Sequence, residues 1–131
     1  MANTIVEGVI TRSTSFGVGP TIDRLEALLK SRGVTIFARI DHDAGATQVG
    51  LSMRPSQVLV FGNPRGGTPI MVAAPLAALE LPFKALAWED AGGRAWLSYP
   101  DPHHLAARFG LTDADVQPLE ALVALIEQAA G

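Results

Sequence analysis

The sequence predicts an α+β fold, an antiparallel sheet with helices packed on one face. Three observations carry this reading. The chain opens with a strand, a helix and a strand in succession, a glycine-rich reversal makes a hairpin between Pro82 and Tyr99, and the chain closes on helical segments. A doubly wound sheet would need strands and helices to alternate throughout, and the hairpin breaks that alternation. With 131 residues and no linker-like stretch, the chain is expected to form a single domain over residues 1–131. That length is enough to bury a core without metal or disulfide.

Thr4, Val6, Val9, Ile10 and Thr11 make a β-branched segment, expected to be an opening strand that ends near Arg12. Gly19-Pro20 offers a helix start, because proline lacks an N–H that a first helical turn leaves unbonded. Ile22, Leu25, Leu28 and Leu29 recur at helical spacing until Gly33, with Asp23, Arg24, Glu26, Lys30 and Arg32 on the other side. From Val34 to Ile40, the alternating Val34, Ile36, Ala38 and Ile40 are expected to share one face of a strand. Gln57–Phe61, apolar from Val58 onward, reads as a central strand stopped by a tight turn at Gly62-Asn63-Pro64. A second turn cluster, Arg65-Gly66-Gly67, follows, and a short helix is expected to begin near Pro69 because Pro69 and Pro75 restrict its course.

Pro82–Glu89 and Arg94–Tyr99 flank Asp90-Ala91-Gly92-Gly93, whose glycines supply the positive φ of a tight reversal. A three-residue loop there would set Trp88 opposite Trp96. Thr112 is expected to cap a terminal helix whose Val116, Leu119, Val123 and Ile126 form one apolar stripe, with Pro118 either kinking it or marking a second start.

Composition narrows the function. A net charge of −3, with ten basic residues scattered from Arg12 to Arg108, provides no basic patch for nucleic acid. The absence of cysteine excludes disulfides, thiol catalysis and thiolate metal sites. The first residues carry no basic stretch followed by an apolar one, and no window approaches the ~18 apolar residues of a membrane span, so a cytoplasmic protein away from the membrane is expected.

Taken together, Asp41-His42, Ala46, Gly50, Arg54-Pro55, Phe61-Gly62-Asn63-Pro64, Gly67-Thr68, Met71, Leu81-Pro82 and Ser98-Tyr99 resemble the domain of unknown function 302 family. The ordered motifs cover about Val34 to Pro102, a family-like core followed by a C-terminal helical extension. The resemblance implies a TATA-binding-protein-like α+β fold with a curved antiparallel sheet, and a protein that self-associates. It implies no reaction, and a shared fold by itself does not confer DNA binding.

Four groups of residues invite chemistry. Asp41-His42-Asp43 at a strand end offers an imidazole between carboxylates, although neighbours on a strand face opposite ways unless the chain turns. The plainer reading has those carboxylates capping backbone amides or the next short helix. His103-His104 could join His42 around a metal ion, but their Asp-Pro-His-His setting reads more simply as a solvated helix entry, so no metal site is assigned. Phe61–Thr68 is glycine-rich enough to approach an anion, yet it lacks both the lysine of a phosphate loop and a dinucleotide fingerprint. No cofactor is therefore indicated.

Trp88, Trp96 and Tyr99 could form an aromatic platform for a flat ligand or a sister subunit. None of Ser13, Ser15, Ser52, Ser56 or Ser98 lies in a Gly-x-Ser-x-Gly setting that would expose a nucleophile. The expectation is a small-molecule-binding or interaction module that forms a homodimer, with Asp41, His42, Phe61, Asn63 and Pro64 shaping a pocket edge. The alternative is a small enzyme using His42 with Asp41 or Asp43, with or without a metal.

Overall fold

A computed structural model describes residues 5–131. Five strands form one open antiparallel sheet in the order β1 (Val9–Ser13), β5 (Ala95–Pro100), β4 (Phe83–Glu89), β3 (Ser56–Gly62), β2 (Thr35–Asp41). The edge strands β1 and β2 run parallel to each other at opposite sides of the sheet. The helix that joins them, α1 (Val18–Ser31), lies on β3 and β4 between them.

Period-2 alternation sorts the sheet into two faces. Leu59 and Phe61 on β3, Phe83, Ala85 and Ala87 on β4, and Leu97 and Tyr99 on β5 point one way and are buried. Against them pack Ile22, Leu25 and Leu29 of α1, and beside α1 lies α5 (Gln117–Ala130), which buries Leu119, Val123 and Ile126. Each fully buried large side chain contributes roughly 1.5–3 kcal/mol. The other face carries Val58, Val60, Leu86, Trp88 and Trp96 partly exposed and Ile40 at 44%.

The hairpin forms as expected. Asp90 N–H donates to the Arg94 carbonyl at 2.9 Å and closes a three-residue loop, Gly93 takes a φ of 83°, and Trp88 pairs with Trp96, the rings stacked at 6.3 Å. The Asp90 carboxylate organises the loop, accepting from Gly92 and Arg94 N–H at one oxygen and from Trp96 Nε1 at the other. The bond from Trp96, followed by that from Arg94, holds its pKa below the usual carboxylate value. Tyr99 departs from the aromatic platform. As an odd-numbered neighbour of Ser98 it faces the helices at 4% exposure, and burial raises its phenol pKa.

Other expectations are corrected. The first strand excludes Val6, and Thr4 lies outside the described residues. In β2 the pairing slips between Ile36 and Ala38, so a bulge at Phe37 splits the expected face: Ile36 packs on the core while Ala38 and Ile40 turn to the other side. The slip also brings Arg39 to α1, where it donates to Asp23 Oδ1 at 2.7 Å and lies 3.5 Å from Glu26. A short helix, α2 (His42–Gln48), occupies the small-residue stretch.

The helix expected near Pro69 begins earlier, as α3 (Pro64–Ala73), and a 3₁₀ turn follows over Pro75–Leu79. Asn63 caps α3 and Pro64 sits at its first position, so the apparent tight turn is a helix start; Pro69 is accommodated inside. Thr112 and Asp115 exchange backbone-to-side-chain bonds in a turn of their own, and the last helix starts at Gln117 with Pro118 in its first turn. Between the hairpin and that turn runs α4 (Pro102–Phe109), capped by Asp101.

Two helical glycines separate space from propensity. A Cβ on Gly45 in α2 would meet nothing within 4 Å, whereas one on Gly66 in α3 would lie 2.7 Å from Pro118 Cβ. Urea unfolding should therefore show Gly45→Ala stabilising the protein by about 0.5–1 kcal/mol. Gly66→Ala should destabilise it by about 1–3 kcal/mol despite the better helix former, because α3 and α5 must move apart.

Candidate functional site

The first turns of α3 and α5 meet at Gly66 and Pro118, and beside this contact the structure opens a cleft of about 670 Å³. Local chemistry fixes the α3 wall. Asn63 Oδ1 accepts from Arg65 N–H at 3.0 Å, and the Asn63 carbonyl accepts from Gly66 and Gly67 N–H at 3.0 and 2.9 Å. These bonds use the donors of the helix start and aim Gly67, Thr68 and Met71 along one side. Leu119, Ala121, Leu122 and Leu125 of α5 line the other side. Val34, Phe37, Gly62, Leu81, Pro82 and Phe83 complete an apolar lining, with Arg32 at the C-terminal cap of α1 as its one charged member.

The five residues expected at a pocket edge separate. Asn63 and Pro64 line the cleft. Phe61 is fully buried behind it and meets Phe83 edge-on at 6.1 Å, supporting the lining rather than forming it. Asp41 and His42 lie at the opposite end of β2, because β2 runs antiparallel to β3 with Thr35 beside Gly62 and Asp41 beside Gln57.

The chain turns at Asp41, and both carboxylates of that cluster serve the backbone. Asp41 Oδ1 accepts from Ala44 N–H and caps α2, while Asp43 Oδ1 accepts from Ser56 N–H, each at 2.9 Å. The bond from Ser56 is the main reason the Asp43 pKa is lowered. His42 is exposed and makes no ion pair among the described residues.

The three histidines do not converge. His42 follows one edge strand, whereas His104 packs against Gly8 just before the other edge strand. Among the described residues no group of three His, Asp or Glu is arranged to hold a metal ion. His103 has a different role: Nδ1 lies 3.0 Å from Asp113 Oδ1 and Nε2 lies 3.1 Å from Glu120 Oε1, so the ring ties α4 to the turn and first residues of α5.

Sequence reasoning missed Arg32, Phe37 and the α5 wall. Phe37 carried a signal, a large apolar residue at a position the alternation assigns to solvent. Arg32 carried none, since it reads as one more charge on the wet side of α1.

Comparison with known proteins assigns the family. A family model described as "Domain of unknown function DUF302" matches residues 10–129. Proteins of Brucella suis and Brucella abortus, both named "Fluoride-specific ion channel FluC 1", are each 41% identical to this chain over 123 residues. Those matches cover 94% of this chain but 48% and 46% of the two proteins, so the chain spans about half the length of the curated relatives it matches. The crystal structure of an uncharacterized conserved protein DUF302 from Bacillus stearothermophilus shares the fold, with a TM-score of 0.77 at 21% identity over 95% of this chain and 97% of that one. The chain belongs to the DUF302 family.

The hydrogen bond to Asp113, then the charge of Glu120, raises the His103 pKa above its usual value. A raised folded-state pKa adds stability that is complete below about pH 6.5 and is lost as pH rises through the folded value. An NMR titration should give His103 a midpoint above 6.5, and Asp113→Asn should lower it. In His103→Gln, the gain in Tm between pH 8 and pH 6 should shrink.

Proposed function

We infer that this member of the DUF302 family is a small-molecule-binding module and that its ligand site is the cleft between α3 and α5. One observation carries this reading. Of the motif residues that resemble the family, Gly62, Asn63, Pro64, Gly67, Thr68, Met71, Leu81 and Pro82 come from separate stretches of sequence and meet around one cavity. The volume of about 670 Å³ falls within the roughly 300–1,000 Å³ of small-molecule sites. An apolar lining with few polar groups is the usual composition of such sites.

The alternative enzyme built on His42 draws less support, because Asp41 and Asp43 are already committed to backbone amides. The fluoride-channel name of the Brucella relatives is not extended to this chain as an activity. No helix among the described residues is long and apolar enough to cross a membrane, and the match covers only about half of those proteins. A cytoplasmic setting remains part of the proposal.

Self-association is the second element, and the partly exposed sheet face favours it. Five strands about 4.8 Å apart and roughly six residues long at ~3.3 Å each give a face near 500 Å² in projection. Two such faces together approach the roughly 1,000 Å² of a specific interface. Trp88 and Trp96 lie within it as aromatic anchors.

The cleft is tested with the neutral fluorescent probe N-phenylnaphthylamine. Wild-type protein should enhance and blue-shift its emission, and Ala121→Trp, at an exposed lining position on α5, should abolish the change while leaving Tm within a few degrees. Unchanged probe binding in that variant would remove the cleft as the site. For association, analytical ultracentrifugation should give a dimer mass for the wild type and half that mass for Trp88→Arg; a monomeric wild type would refute the homodimer.

A further inference from the structure

We propose that the cleft takes an apolar organic acid, a molecule with a hydrocarbon or aromatic body and a single carboxylate that Arg32 receives at the rim. The inference rests on the ligand reading above and goes on to give the ligand a charge. Its basis is the distribution of polar groups around the cavity. No Asp or Glu is among the lining residues, and Arg32 is their only cation.

Arg32 is also unengaged. Arg12, Lys30, Arg39, Arg54 and Arg108 each face a carboxylate within 3.2 Å. The Arg32 side chain is exposed and forms no ion pair among the described residues; only its backbone N–H is used, in closing α1. A planar guanidinium with five donors suits a carboxylate, which it can hold through two parallel bonds.

The remaining polar groups agree with an anion. Asn63 Oδ1 is occupied by Arg65 N–H, which leaves the amide NH₂ as the group that Asn63 can offer a ligand. Thr68 adds a hydroxyl that can donate. Arg32, Asn63 and Thr68 thus supply donors to a lining whose apolar surfaces, from Phe37 and Met71 to Leu122 and Leu125, reward a hydrocarbon body.

Isothermal titration calorimetry at pH 7 with decanoate and decanol tests the proposal on wild type, Arg32→Gln, Arg32→Lys and Ala121→Trp, with circular dichroism confirming the fold of each. Wild-type protein should bind decanoate about tenfold more tightly than decanol. Arg32→Gln should erase that difference, Arg32→Lys should restore part of it, and Ala121→Trp should weaken both ligands. Equal affinity for the two ligands in the wild type, or a preference for decanoate that survives Arg32→Gln, overturns the acid specificity. If both ligands bind equally and Ala121→Trp abolishes both, the cleft stands and the anionic ligand does not. If decanoate binding is indifferent to Ala121→Trp, both readings fail. Failure of both ligands to bind overturns the proposal and leaves the cleft to the neutral-probe result.

Discussion

The distance between the sheet and its helices is set at β4, and the rest of the architecture depends on it. Ala85 and Ala87 are fully buried there, so only methyl groups separate that stretch of backbone from the helical layer. α1 can then lie close enough for Leu25 and Leu29 to be excluded from solvent completely, and α5 can pack alongside it. At the start of the same strand stands Phe83, a buried ring that meets Phe61 edge-on and lines the cleft. Close packing at one end of β4 and an aromatic floor at the other give the molecule both a dense core and a cleft. Larger residues at the alanine positions would lift the whole helical layer, since interiors packed at crystal-like density have no slack to absorb them.

The cleft is assembled from remote parts of the chain. Its α3 side grows out of β3 through a proline-started helix, its floor includes the entry to β4, and its far side is the last helix. The Gly66–Pro118 contact keeps those helices adjacent at their first turns. The cleft thus sits beside a tertiary contact between two residue types usually read only as local punctuation.

That explains which features were legible in the sequence. The spacing of Ile22, Leu25 and Leu29 identified α1, and the diglycine between Trp88 and Trp96 identified the hairpin, because both are decided within a few residues; its register awaited the loop length, which the structure sets at three. The bulge at Phe37 was not legible. It depends on β2 pairing with β3 across the sheet, and a slip of one residue reverses the face of everything after it. Asn63-Pro64 was ambiguous for a different reason: a polar cap followed by proline starts a turn and a helix equally well, and only the contacts of the next ten residues decide. Asn63 and Pro64, expected at a pocket edge from their motif, line the cleft, whereas Asp41 and His42, expected there in the same way, lie at the far end of β2.

The bulge also bears on how the protein stays apart from copies of itself in the wrong arrangement. β2 is an edge strand, and an unbroken edge exposes a row of backbone donors and acceptors to any passing strand. At Phe37 the row is interrupted, and two residues later Arg39 is held against α1 by Asp23. A strand from another molecule that began to pair along this edge would lose register at Phe37 and meet a charged side chain next. The irregularity that misleads a reading of alternation is thus also of the kind that disfavours strand addition at a sheet edge.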